Sequence, residues 1–159
     1  MPLRPPILGP ALLLVAFSAG LAGVSQVIFP KRIPWVQDWA NMVENKAAED
    51  GIRVIDLAAM KAIVDQQSHI LLDARRMGDY LAGHIPGAFA LPDAEFDSNL
   101  PNVLPLLTPS QPIVTYCSGK SCDESIHLTK KLQAQGFTNI VLFAGGIVEW
   151  KEAGHPVQQ

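Results

Sequence analysis

"IVTYCSGKSCDES", Ile113 to Ser125, is the stretch on which the reading turns. A β-branched run stops at a cysteine, small residues follow, and a second cysteine stands five positions on. A metal clip, a disulfide, a phosphate loop and a reactive thiol in a cradle of backbone amides all fit such a pattern. The flanking elements narrow the choice. "PIVTYC" (Pro112 to Cys117) reads as a strand covered on both faces. Ser121 to Gln135 reads as the helix that follows. At about 100° per residue, Cys122, Ser125, Leu128, Thr129 and Leu132 fall on one stripe, with Asp123, His127, Lys130 and Lys131 away from it. Gly136 ends the helix as a C′ glycine would. The strand therefore delivers Cys117 to its C-terminal tip, where open α/β sheets place their ligands.

Outward from this stretch, short apolar runs alternate with helical patterns, which predicts an α/β layer structure with parallel strands. "IRVI" (Ile52 to Ile55), "HILLDA" (His69 to Ala74), "GAFALP" (Gly87 to Pro92) and "NIVLFA" (Asn139 to Ala144) read as the other strands. Asp56 reads as the cap of a helix running to about Asp65. At 159 residues the chain holds one domain of ordinary size, whose core needs no disulfide or metal staple.

The N-terminus differs in kind. No charged residue lies between Arg4 and Lys31, and Ile7 to Phe29 is long enough to cross a hydrocarbon core of roughly 30 Å as one helix. Residues 1–30 are therefore expected to form a transmembrane helix, against two alternatives: a secretory signal cleaved after Ala22, or a buried core helix. Residues 31–51 are then a juxtamembrane linker and helix, and 52–157 the folded domain. Trp35 and Trp39 suit either a membrane interface or packing on the domain. Orientation is nearly tied, Arg4 and the amino terminus against Lys31 and Arg32, with a slight lean to a cytoplasmic C-terminal domain. Without Arg4 the chain carries 11 basic and 15 acidic residues, a net charge of −4. That balance gives no polybasic face and excludes a nucleic-acid partner.

The loop carries the chemistry. A strand, a tight turn and a helix in succession leave the first helical amides without internal partners. If Ser118 to Cys122 curl around the Cys117 sulfur, those amides converge on it and the helix dipole adds its positive end. A thiolate there is favoured, and Lys120 favours it further. Gly119 permits close backbone approach. Two cysteines are too few for a disulfide scaffold or a four-cysteine zinc site, and His127 alone does not complete a tetrahedron around them.

With "LLDARRMGDYLAGHIPGAFALP" (Leu71 to Pro92), "VTYCSGKSCDES" and "GFTNIVLFAGGIVEWKEAGHPV" (Gly136 to Val157) in this order, the chain resembles the rhodanese family of sulfurtransferase domains from about Ile52 to Val157. The resemblance implies a five-stranded parallel sheet flanked by helices. It implies that Cys117 takes a sulfane sulfur from a donor such as thiosulfate, becomes a persulfide, and passes the sulfur to a thiol or cyanide, with no metal or organic cofactor. Carried over by position, Cys117 is the nucleophile, and Ser118, Gly119, Lys120, Ser121 and Cys122 form the persulfide-binding loop. Asp73 and Arg75 match an Asp-x-Arg that braces the neighbouring loop, although Arg75 or Arg76 is also placed to attract an anionic donor. His84 in "GHIPGA" implies a turn and packing. Gly145, Gly146 and Trp150 imply a tight helix start and a core anchor.

The chain departs from the family where many members carry Arg, Ser or Thr near the end of the loop, since Cys122 stands there. Two readings stay open for it: a small buried residue on the inward stripe, or a resolving thiol that attacks a Cys117 persulfide or sulfenate and leaves a disulfide. The missing cation weakens the case for thiosulfate as donor. Related phosphatases use a loop one residue longer ending in arginine, whereas Asp123 stands at that place, an anion facing an anion. The alternatives to a sulfurtransferase are a membrane-tethered binding or regulatory module, with a membrane protein as partner, and a Cys117/Cys122 dithiol switch.

Overall fold

The computed structural model describes residues 8–28 and 41–159, with side-chain burial on the first helix given for residues 9 and 11–24. Two compact units result, Met1–Gln37 and Asp38–Gln159.

In the first unit, α1 (Leu8–Ile28) is a helix of 21 residues whose Leu12, Leu13, Leu14, Val15, Phe17, Leu21 and Val24 are exposed. Among the described residues no helix is long and apolar enough to cross a membrane, so the expected transmembrane helix is not supported. Trp35 and Trp39 lie outside the described residues.

The second unit is built on a five-stranded parallel sheet in the order β1-β5-β4-β2-β3: β1 (Val54–Ile55), β2 (Ile70–Asp73), β3 (Ala88–Ala90), β4 (Ile113–Tyr116) and β5 (Ile140–Phe143). Each lies inside the run that its apolar residues predicted. Because successive side chains of a strand point to opposite faces, the strands sort their residues into two layers. Leu71, Val114, Tyr116, Val141 and Phe143 pack on one face with Met60 and Ile63 of α3 (Leu57–Gln66) and Ile147 and Trp150 of α7 (Gly146–Glu152). Leu72, Ile113 and Ile140 pack on the other with Phe96 and Val103 of α5 (Phe96–Val103) and Leu128 and Leu132 of α6 (Glu124–Ala134). The short α4 (Met77–Ala82) joins β2 to β3.

Asp56 caps α3 by accepting from the Ala59 N–H at 2.8 Å. The helix α2 (Met42–Glu49) is packed into this unit: Val43 and Ala47 are fully buried with Ile52, Ile126, Leu142 and Ala144.

Candidate active site

Cys117 follows the last residue of β4, the middle strand of the sheet, and is 2% exposed. The loop that begins there is pinned at both ends. Thr115 on β4 and Thr129 on α6 meet through their hydroxyls at 2.7 Å, both fully buried. Thr129 donates to the Ser125 carbonyl at 2.8 Å, which leaves Thr115 as donor to Thr129.

Between these anchors three loop carbonyls turn to other elements and a fourth closes a turn within the loop. The Cys117 and Ser118 carbonyls accept from the Ile147 and Val148 N–H groups at the start of α7, each at 3.0 Å. Gly119 accepts from Cys122 and Lys120 from Val43 of α2, again at 3.0 Å. A trans peptide points its C=O and the following N–H in opposite directions. The N–H groups of Ser118, Gly119, Lys120 and Ser121 are therefore turned away from these partners, and among the described residues no backbone carbonyl takes any of them. N–H groups left this way can donate to an anion. Gly146 makes the arrangement possible: its φ is +58°, and a Cβ there would lie 2.4 Å from the Cys117 carbonyl oxygen and 2.7 Å from the Gly119 nitrogen.

The start of α6 differs from the expected one. The bond from Cys122 N–H to the Gly119 carbonyl closes a turn inside the loop, so the helix begins at Glu124 rather than Ser121. Cys122 is accordingly a half-buried loop residue and not the first member of the inward stripe, which starts at Ser125 and runs through Leu128, Thr129 and Leu132, joined by Ile126. Cys122 is disulfide-bonded to Cys117, with Cα atoms 6.2 Å apart, a span that a disulfide tolerates.

Glu124 is the residue that sequence reasoning missed. Its Oε2 lies 2.5 Å from the Cys122 sulfur and 3.3 Å from the Cys117 sulfur. Asp123, the acid that the sequence pointed to, turns outward instead. It pairs with Lys46 at 2.7 Å and lies 3.6 Å from His127, and the Lys46 hydrogen bond holds its carboxyl below the ordinary range. Lys120 also turns outward, 3.8 Å from Glu44 of α2. The side chains against the sulfurs are therefore the Glu124 carboxylate and, 4.0 Å from Cys117, the Ser118 hydroxyl. The available signal was an acid in the first helical turn immediately after a cysteine loop. Cys117, Cys122 and Glu124 offer three ligand atoms within 4.8 Å of one another, one fewer than a closed tetrahedral site needs. His127 stands between Asp93 and Asp123 and not in that group.

Beside this loop, Asp73 and Arg75 form a closed pair. Asp73 is fully buried and Arg75 8% exposed. Arg75 donates from its backbone N–H and Nε to Oδ1 at 3.0 Å, from Nη2 to Oδ2 at 2.6 Å, and from Nη2 to the Gly83 carbonyl at 2.9 Å. The guanidinium is committed inward, and only Arg76 is exposed. Tyr116 stands next to the pair, its hydroxyl accepting from the Ile85 N–H at 3.2 Å. Burial first, and the Asp73 carboxylate second, push its phenol far up, so it stays neutral. His84 is buried, stacked on Tyr80 with centroids 3.8 Å apart, and bonded through its backbone to Gln158 in both directions. Trp150 is buried and donates from Nε1 to the Pro156 carbonyl at 2.8 Å.

Residues 56–153 match the family described as the Rhodanese-like domain. The chain belongs to that family. The rhodanese-like domain is 35% identical over 89 residues to an HTH-type transcriptional regulator of Mycobacterium tuberculosis, covering 56% of this chain and 37% of that protein. It is 27% identical over 122 residues to a tRNA uridine(34) hydroxylase of Erwinia tasmaniensis, covering 72% of this chain and 34% of that protein. The chain therefore spans about a third of the length of these curated relatives. Among solved structures, a thiosulfate sulfurtransferase from Pseudomonas aeruginosa superposes with a TM-score of 0.60 at 23% identity, over 76% of this chain and 23% of that one. A rhodanese-related protein from Thermoplasma volcanium superposes with a TM-score of 0.54 at 25% identity, over 67% of this chain and 97% of that one. The α/β fold with its five-stranded parallel sheet is shared. The family match begins after α2, yet α2 supplies the N–H that takes the Lys120 carbonyl and the lysine that takes Asp123.

Proposed function

We propose that this rhodanese-like domain is a sulfurtransferase that works through a Cys117 persulfide. The observation that carries the reading is the outward turn of the loop carbonyls, which leaves the amides of Ser118 to Ser121 to hold an anion next to the Cys117 sulfur. Thiolate and persulfide are both anions, so one cradle serves both states of the cycle. The disulfide is the oxidised resting form, and a thiol reductant opens it. The Cys117 thiolate then attacks the outer sulfur of a donor such as thiosulfate, the donor S–S bond breaks, and sulfite leaves with the bonding pair. A thiol or cyanide acceptor attacks the terminal sulfur of the persulfide, and the Cys117 thiolate departs. Asp73 and Arg75 do not move protons in this scheme; they hold the neighbouring loop.

The test is thiocyanate formation from thiosulfate and cyanide by the reduced chain. Turnover that is lost in Cys117→Ser is the expected result. Absence of thiocyanate, together with no sulfur gain on Cys117 in Cys122→Ser, overturns the reading. The uncharged run from Ile7 to Phe29 and the exposed apolar side chains of α1 support work at a membrane, and Lys31 and Arg32 after the run lean the domain to the cytoplasmic side, where its proposed partner is a membrane protein. Recovery of the full-length chain in the soluble fraction after cell breakage rules that out.

A further inference from the structure

We infer that Cys122 and Glu124 make the site release its sulfur as sulfide without any outside acceptor. The inference rests on the persulfide reading above. Three facts meet here: Cys122 is close enough to bond Cys117, it sits in the loop and not in the core, and the Glu124 carboxylate touches both sulfurs, at 2.5 and 3.3 Å. Neither a buried filler nor a plain sulfur carrier needs a carboxylate at that point. A carboxylate beside the sulfurs works against a thiolate, so it has a cost to the first half of the cycle.

In the reduced, persulfidated site, the Cys122 thiol is the nucleophile. Glu124 takes the Cys122 proton as the Cys122 sulfur attacks the Cys117 sulfur. The bond between Cys117 and the terminal sulfur breaks, that sulfur leaves with the electron pair, and Glu124 returns the proton to it. Written whole, two thiols and one thiosulfate give one disulfide, one sulfite and one hydrogen sulfide. Atoms and charge balance, and the two electrons that reduce the sulfane sulfur come from the pair of thiols. A dithiol reductant then reopens the disulfide for the next round. Glu124 is a catalytic residue by this account, because it touches both reacting sulfurs.

The test uses the full-length chain, reduced, freed of reductant and kept without oxygen, then given thiosulfate. Sulfide release and intact mass are followed together. The wild type is expected to release about one sulfide per chain and to end two hydrogens lighter, with no added sulfur. Cys122→Ser is expected to keep the mass of one added sulfur and release none until an outside thiol is supplied. Glu124→Gln is expected to gain sulfur but release it roughly 10²-fold more slowly, the low end of what a positioned acid-base group contributes. A wild type that keeps its added sulfur as Cys122→Ser does overturns this inference and leaves the sulfurtransferase reading standing. Failure of both to gain sulfur, with native circular dichroism, overturns the reading itself. Release in Glu124→Gln at the wild-type rate removes Glu124 from the step.

Discussion

Two loops leave neighbouring strands of one sheet at the same height, and they treat charge in opposite ways. Asp73 at the end of β2 lies in register with Tyr116 at the end of β4. After β2 the chain buries a carboxylate and at once supplies the guanidinium that satisfies it, through a fork of bonds between 2.6 and 3.1 Å. After β4 the chain buries a cysteine, leaves four N–H groups without backbone partners among the described residues, and sets a carboxylate against the sulfurs. A satisfied buried pair has nothing left to offer a substrate. Donors without backbone partners beside a polarizable atom do, and so the second loop is the one we propose as the site, although both carry ionisable groups at the edge where α/β sheets bind ligands.

The sharpest way to break this contrast is to exchange the loops' dependence on charge. Asp73→Asn leaves the Arg75 guanidinium buried without its counter-ion, and loss of one partner of such a pair costs about 3–5 kcal/mol. Urea unfolding under reducing conditions is expected to show that loss. Cys117→Ser under the same conditions is expected to keep its unfolding midpoint while sulfur transfer disappears. A Cys117→Ser midpoint that drops as far as that of Asp73→Asn would mean that both loops are structural.

The two loops were unequally legible. Asp73 and Arg75 were read through the family's Asp-x-Arg as a brace for the neighbouring loop, with Arg75 also offered to an anionic donor; that the two close on each other, and so take Arg75 away from a donor, is seen in the structure. The five strands were legible because β-branched and apolar runs of four to six residues bounded by Gly, Pro and Asn fit few other elements. What was not legible depends on contacts distant in the chain. The outward turn of the cysteine loop is set by Gly146, Ile147 and Val148 at the start of α7 and by Val43 on α2. Helical periodicity extended α6 back to Ser121 because nothing in "SCDE" forbids a helix; the Gly119–Cys122 turn that displaces its start is a tertiary outcome. With that three-residue shift Asp123 stays in the loop and pairs with Lys46, while Glu124 opens the helix and meets the sulfurs. Polar "NKAAED" likewise gave no sign that Val43 and Ala47 of the same helix are fully buried.

Next in size is Gly146→Ala. A positive φ costs a residue with a side chain about 1–3 kcal/mol, and the new Cβ would also meet the Cys117 carbonyl at 2.4 Å. The loop must move for the methyl to fit, so its amides no longer converge. Persulfide formation is expected to fall more steeply than stability, as read by sulfur gain in mass spectrometry with Gly146→Ala placed in the Cys122→Ser chain, beside urea unfolding. Equal losses in both would show that the loop carbonyls matter only for packing.

Glu124→Gln sharpens the contrast from the other side, by removing the carboxylate that faces the sulfurs. The neutral amide no longer repels a thiolate or an anionic donor. Alkylation of the reduced protein by iodoacetamide at neutral pH is expected to quicken by up to about tenfold, the effect of roughly 1.4 kcal/mol of repulsion at an intermediate dielectric. Alkylation at the wild-type rate would mean that Glu124 leaves the sulfurs once the disulfide opens.

The smallest expected effect concerns α2, which buttresses the open loop from outside the family match. Lys46→Met keeps the alkyl stem and removes the charge that holds the Asp123 carboxyl low. A carboxyl with a lowered folded pKa stabilises the fold above its unfolded pKa of roughly 3.9, and that contribution is lost as pH falls through the folded value. Lys46→Met is therefore expected to be slightly less stable than wild type at neutral pH, with the gap closing below about pH 4 as Asp123 protonates. Both partners are more than a third exposed, so salt should narrow the gap as acid does. A gap that survives both acid and salt would assign the contribution of Lys46 to its packed stem, and α2 would then hold the cysteine loop through the Val43 to Lys120 backbone bond and the burial of Val43 and Ala47, with the ion pair adding nothing.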